Sequence, residues 1–352
     1  MNKRENLLAV MAGHAYSEVP VDFGLCPALE AQYYAHTGAS VPYDQYYGFP
    51  WRGISSPVPT QTADFARYYP QGLAEGAQID MWGAAHEPGS AAAFHMTRLR
   101  HPLTGNINAD DIAAYPFPSF DPNDIAVQQR DVSRIHAEGL AAVGFMQMTI
   151  WETAWAIRSM EDLMADMMDE DQTAEALIAR VTQTAVARAE IYAKSGADIL
   201  YIGDDIGMQR SAMMSTALYK TWLWPAHKAV IEAARAINPD ILVFYHSCGK
   251  VDSFIPLLIQ AGIDVLNPVQ PETMDFAALY QTYSDKLAFC GGIGTQSTMP
   301  NDTPDAVRRT VFERLDAANG GKKLFLTPTH LLEPDVPWAN VEAYVRACKD
   351  YL

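Results

Sequence analysis

The tetrapeptide His246-Ser247-Cys248-Gly249 ends an apolar run, Ile241-Leu242-Val243-Phe244-Tyr245. That run is β-branched and aromatic, the composition of a buried strand. Residues two apart on a strand point to the same face. His246 and Cys248 are therefore expected to project together, about 7 Å apart along the backbone. An imidazole and a thiolate so placed suit two ligands of one borderline metal ion, with zinc the leading choice. Two ligands do not complete a site, so the remainder must be supplied by distant parts of the chain.

The elements that would supply it can be read from the apolar pattern. From about residue 140 onward, short apolar runs alternate with amphipathic stretches of helix length. The strand candidates are 140–150, 198–203, 241–245, 265–268, 287–291 and 324–328, and the helical stretches are 172–195, 215–237, 250–261, 302–318 and 337–351. Such alternation marks βα units and a parallel sheet. A weak repeat agrees: Ser195-Gly196-Ala197-Asp198-Ile199-Leu200 resembles Ala261-Gly262-Ile263-Asp264-Val265-Leu266. In each, a helix is expected to stop at Gly and an Asp to lead into the next strand.

The N-terminal third is less regular. Val19-Pro20-Val21-Asp22-Phe23 reads as a first strand and Asp80-Met81-Trp82-Gly83-Ala84 as a second. Residues 42–75, rich in Pro, Tyr and Gln, read as an excursion over the mouth of the fold, and 85–125 as loops with short pieces of structure. Two early strands and six later ones predict an α/β fold, a TIM (β/α)8 barrel with an N-terminal excursion over the barrel mouth. The runner-up, a doubly wound open sheet, lacks the Gly-rich dinucleotide fingerprint after its first strand. No linker composition divides the chain, so residues 1–352 are expected to form one domain.

In such a barrel, chemistry gathers at the C-terminal ends of the strands. The chain places there Glu152, the pair Asp204-Asp205, His246 and Cys248, Asn267 and Gln270, Cys290 and His330. His246, Cys248 and His330 make the sharpest metal constellation, because the fifth and eighth strands face one another across the mouth. Cys290 could replace His330 or bind with it. Glu152, Asp204 and Asp205 are candidates for a fourth ligand or for general acid–base work, and Asn267 and Gln270 for cofactor contacts. Gly291-Gly292-Ile293-Gly294 could cradle an anion, but no Lys or Arg follows it closely.

Composition narrows the partners. The 352 residues carry a formal net charge of -17. An acidic surface of that size disfavours nucleic acid and anionic membranes. No run approaches the length of a transmembrane span, and the N-terminus does not read as a signal peptide. Four cysteines without an export signal fit a reducing cytoplasm better than a disulfide framework. Apolar outer helices are compatible with a homodimer.

The motifs taken together resemble the uroporphyrinogen decarboxylase superfamily, in particular its branch of corrinoid-dependent methyltransferases. The resemblance is carried by Arg4-Glu5-Asn6-Leu7-Leu8 with Val19-Pro20-Val21, by Gly203-Asp204-Asp205, and by His246-Ser247-Cys248-Gly249. It continues through Gly262 to Gln270, Cys290 to Gln296, Pro328-Thr329-His330 and Pro334 to Asn340. It implies a TIM barrel, a zinc ion on the His-x-Cys pair, and a cobalamin supplied by a separate corrinoid protein. It also implies a small methylated substrate. No segment of the chain reads as a corrinoid-binding domain of its own. The decarboxylases of the superfamily carry an Arg-rich N-terminal loop; the corresponding region around Cys26-Pro27-Ala28-Leu29 has no arginine. In the methyltransferase branch the third zinc ligand is a cysteine near the last strand, and here that position is similar to Thr329-His330. The expectation is a zinc-dependent methyltransferase, with a decarboxylase-type carboxy-lyase and a non-catalytic corrinoid- or metal-binding partner protein as alternatives.

Overall fold

The computed structural model describes residues 1–89 and 97–352. Ten strands are described, in two sheets. Seven run parallel in the order β1 (Trp51–Gly53), β5 (Ala141–Gln147), β6 (Ile199–Gly203), β7 (Leu242–His246), β8 (Val265–Val269), β9 (Ala288–Ile293) and β10 (Leu324–Pro328). The other three, β2 (Gln78–Ile79), β3 (Ala85–Glu87) and β4 (Arg98–Arg100), form a small antiparallel sheet. The large sheet is curled into a TIM-barrel-like α/β fold, with helices after most of its strands. Among the described residues no helix is long and apolar enough to cross a membrane.

From β5 to β10 the strands fall where the apolar runs predict them. The helices do too, with breaks at Pro. The stretch 215–237 divides into Thr216–Trp222 and Trp224–Ile237, with Pro225 in the first turn of the second helix. The Gly–Asp repeat has a common physical basis. Gly196 and Gly262 both take left-handed backbone angles (φ 85° and 104°) at the ends of their helices. Two residues on, Asp198 accepts a hydrogen bond from the Ala142 amide and Asp264 accepts one from the Val243 amide, each stitching a strand to its neighbour.

Asp198 also accepts from Arg4 at 2.6 Å and pairs with His136 at 2.8 Å. Burial alone would raise its pKa, but these donors outweigh it and hold the carboxyl below its ordinary value. A depressed folded-state pKa contributes stability above the unfolded value, near pH 4, and loses it as the pH falls through the folded value. Asp198→Asn is expected to cost about 1.5–3 kcal/mol at pH 7. In denaturant titrations the gap between variant and wild type should shrink as the pH is lowered through that window.

The N-terminal third departs from its sequence reading. Asp80–Ala84 is a turn: the Asp80 carboxylate accepts from the amides of Trp82 and Ala84, an Asx-type closure. The first barrel strand is Trp51–Gly53, inside the segment expected to lie over the mouth, and it pairs with β5. Val19–Phe23 is extended but makes no strand ladder. It leads into a strap that occupies the gap between β10 and β1. Gly24 and Cys26 exchange backbone hydrogen bonds with Leu332, and the Asp22 carboxylate accepts from the Trp51 indole at 3.0 Å. The Tyr344 hydroxyl lies 3.1 Å from the Asp22 carbonyl and 2.8 Å from that of Leu326, tying strap to β10. Part of the expected 85–125 loop region, residues 90–96, lies outside the described residues.

The barrel interior is closed from below by the helix Lys3–Ala12, whose Leu7 and Met11 pack among Val143, Ile199, Phe244, Val265 and Phe325. From above it is covered by Trp51, whose ring centroid lies 5.1 Å from that of Phe325 and 5.5 Å from that of Phe244. That aromatic layer is the floor on which the functional residues stand.

Candidate metal centre

Strand register places the site. Gln147 pairs with Gly203, Gly203 with His246, and His246 with Asn267, so four strand ends form one row across the mouth. The row is tight. A Cβ at Gly203 would come within 2.7 Å of the His246 Cβ and carbonyl oxygen. Gly203→Ala is therefore expected to displace His246 and weaken metal binding while leaving the helices intact, as metal analysis beside circular dichroism would read.

The His246 imidazole is oriented by its neighbours. Nδ1 donates to the Asn267 Oδ1 at 2.7 Å, and that same oxygen accepts from the Tyr201 hydroxyl at 2.7 Å. This fixes the proton on Nδ1 and turns the Nε2 lone pair to the cavity, as a hydrogen-bonded partner does for metal-binding histidines. Nε2 lies 3.5 Å from the Cys248 Sγ and 3.7 Å from the Asp205 Oδ1. The ligand atoms of Asp205, His246 and Cys248 all lie within 4.8 Å of one another. Ligands bound at zinc distances around a tetrahedral centre stand about 3.3–3.8 Å apart. The separations from Nε2 fall in that range, so the donor set fits the ion.

Asp205 reaches this place through backbone contact between two loops. Gly249 has φ 81°, and a Cβ there would meet Gly207 backbone at 2.6 Å; a Cβ at Gly207 would meet the Cys248 carbonyl, also at 2.6 Å. The Cys248 amide donates to the Asp205 Oδ1 at 2.7 Å, and the Ile206 amide donates to the buried Ser247 hydroxyl. Burial, then the carboxylates of Asp205 and Glu152, push the Cys248 thiol up to about 12. Burial likewise holds His246 below its ordinary pKa, offset in part by Asp205 and Asn267. Glu152 accepts from the Asp205 amide at 3.2 Å, and burial with Asp204 and Asp205 pushes its carboxyl up to about 8.

The remaining sequence candidates divide. His246, Asp205, Glu152, Asn267, Cys290 and His330 line one cavity of about 770 Å³ at the barrel mouth. His330 stands exposed on its rim, outside the three-residue group. Cys290 is buried in β9, with Sγ 3.7 Å from the Thr327 hydroxyl. Gln270 faces a second, smaller groove beside Cys248 and accepts from the Gly249 amide, bracing the turn after His246.

Asp204 departs from the role expected of it. It is fully buried and does not line the cavity. Its oxygens accept from the amides of Ile150 and Glu152, at the N-terminus of the helix Trp151–Arg158, and from His227 at 2.7 Å. A carboxylate in that position complements the helix dipole and satisfies end amides. Asp204 thus holds Glu152 and the Asp205 loop in place from beneath. His227, and the cavity residue Asp22, were not singled out in the sequence; a lone His on a helix and a lone Asp between Val21 and Phe23 give no local signal.

Fold and site together define a parallel α/β barrel with a candidate metal-binding mouth. The chain belongs to the uroporphyrinogen decarboxylase (URO-D) family, whose match spans residues 95–351. Among solved structures it is similar to a methyltransferase from Methanosarcina mazei, at 17% identity and TM-score 0.69, over 100% of this chain and 99% of that one. It is also similar, more distantly, to a B12-independent methionine synthase from Shewanella, at 12% identity and TM-score 0.47, over 91% of this chain and 84% of that one. A comparison with curated protein sequences gave no match.

Proposed function

We propose that the protein is a zinc-dependent methyltransferase, moving a methyl group between a small methylated substrate and the cobalamin of a separate corrinoid protein. The observation that carries this reading is the convergence of His246 Nε2, Cys248 Sγ and an Asp205 oxygen on one point of the mouth, with the imidazole pre-oriented by Asn267. The full-length likeness of fold to a methyltransferase agrees with it.

His246, Cys248 and Asp205 would hold the ion, and substrate would approach from the cavity. Bound zinc supplies Lewis acidity toward the heteroatom that carries or receives the methyl group. Tyr201 and Asn267 keep His246 aimed, while burial favours its neutral form. Glu152, lining the cavity and bonded to the Asp205 amide, stands where a proton could be moved to or from that heteroatom. Phe145 and Trp51 limit water at the cavity wall. Residues 1–352 would act in this as a single domain.

The test joins metal analysis of the purified protein to methyl transfer onto reduced cobalamin from a panel of methylated compounds. Stoichiometric zinc and transfer abolished by His246→Ala support the reading. Absence of zinc, or transfer undiminished in that variant, overturns it. The family's decarboxylase chemistry is the second reading. Against it, Arg52, the sole Arg or Lys among the described residues lining the cavity, is already paired with Asp44 at 2.7 Å. No turnover of uroporphyrinogen is expected.

A further inference from the structure

The part of the cavity next to the proposed metal ligands is aromatic, with an acid beside it. Trp51, Phe145 and Tyr201 touch one another there, with centroids 6.4 Å apart for Trp51–Phe145, 5.0 Å for Phe145–Tyr201 and 6.4 Å for Trp51–Tyr201. Phe145 is a strand residue of the barrel yet 38% exposed, because its ring borders the cavity. Gly53 on β1 makes room for that ring: a Cβ there would lie 3.2 Å from it.

Asp22 stands beside these rings. Its Oδ1 accepts from the Trp51 indole at 3.0 Å; among the described residues no group bonds its other oxygen. Desolvation pushes this carboxyl up to about 7, with Arg52 and Trp51 offsetting only part of the effect. Among the described residues Arg52 makes no ion pair with Asp22: its Nε pairs with Asp44 and its Nη1 donates to the carbonyls of Phe49 and Trp51. A desolvated carboxyl with an oxygen free of hydrogen bonds, at the edge of an aromatic cluster in an open cavity, can take a cation.

We infer that Asp22, with Trp51, Phe145 and Tyr201, forms a subsite for the positively charged amino group of an organic cation. Charge-assisted hydrogen bonding to the carboxylate and cation–π attraction to the rings act together on such a group. This rests on the proposed methyl-transfer reading only for its orientation: the amino end lies at Asp22, and the methyl-bearing heteroatom of the same molecule points across the cavity to His246. A substrate with a carboxylate at that end would meet Asp22 instead of an arginine.

Three probes of similar shape and different charge test it: para-methoxyphenethylamine, para-propylanisole and para-methoxyphenylacetate. Their binding is measured by calorimetry on wild-type protein, as purified and after removal of metal by chelation. The cation should bind tightest, by about tenfold or more over the neutral probe, the range of a hydrogen bond to a charged group. The anion should bind weakest. Asp22→Asn should erase the preference for the cation while leaving affinity for the neutral probe. Phe145→Ala should weaken all three.

Equal binding of the cation and the neutral probe to wild-type protein overturns the subsite, and so does tightest binding of the anion; neither result depends on a variant folding. A cation preference that survives Asp22→Asn also overturns it. The subsite and the metal reading fail separately. A zinc-free protein that keeps an Asp22-dependent preference retains the first and loses the second. A zinc protein without the preference does the reverse.

Discussion

His246→Ala and Cys248→Ala are expected to leave the barrel folded and strip it of metal, and with it of methyl transfer. Each removes one of the three proposed ligand atoms, which lie within 4.8 Å of one another, so neither neighbour can substitute for it. The loss of affinity should exceed the roughly 10–100-fold that removal of an outer-shell partner costs. Asn267→Leu should fall within that smaller range, because it leaves all three ligands but frees the imidazole that Asn267 holds at 2.7 Å. Asp205→Asn and His330→Ala separate two versions of the site. If Asp205 is the third ligand, Asp205→Asn should weaken zinc binding severely and His330→Ala only slightly. Competition against a zinc chelator of known affinity, run on all five variants, reads the order directly. The reverse order for Asp205 and His330 would return His330 to the ligand set.

Substitution at the Asp204–His227 pair should cost the most stability of any change near the site. Both side chains are fully buried, 2.7 Å apart, and the Tyr219 hydroxyl bonds the other ring nitrogen of His227 at 3.1 Å. The imidazole Nε2–H donates to Asp204, and the carboxylate takes its remaining bonds from the Ile150 and Glu152 amides. Asp204→Ala orphans those amides and the imidazole together. A loss of about 3–5 kcal/mol is expected, as when one partner of a buried pair is removed. His227→Leu withdraws one donor from Asp204 and the partner of the Tyr219 hydroxyl, but leaves the amides bonded, and should cost about 1–3 kcal/mol. Denaturant midpoints measure both. In each variant the zinc affinity should also fall, since the helix bearing Glu152 and the loop bearing Asp205 lose their common anchor. A variant as stable as wild type would show the pair to be dispensable.

The strands β5 to β10 were readable because each is a continuous apolar run bounded by Gly, Pro or Asp, and burial on both faces demands that composition. The first barrel strand was not, because Trp51-Arg52-Gly53 is three residues of mixed character held by pairing to β5. Val19–Phe23 alternates like a strand, but Pro20 lacks an amide for a ladder, and the segment docks through side chains instead. At the site, a two-residue period was enough to bring His246 and Cys248 together. Asp205 could be named as a candidate, but its place beside them depends on Gly207 and Gly249 letting two loops touch backbone to backbone. Asp204 and Asp205 are adjacent in sequence and opposite in role, because successive residues there face the barrel wall and the cavity. No local pattern told the two apart.

The strap between β10 and β1 gives this barrel two kinds of wall. On one side, ladder hydrogen bonds lock β6, β7 and β8 into register, and the proposed ligands stand at or just beyond their ends. On the other, Asp22 rides on a segment fastened by a few contacts to Leu332, Trp51 and Tyr344. Changes in the strap can reshape what the cavity admits without disturbing the residues proposed to do the chemistry. Selection can therefore act on substrate choice and on reactivity almost independently, and relatives built this way should differ most in sequence along that seam.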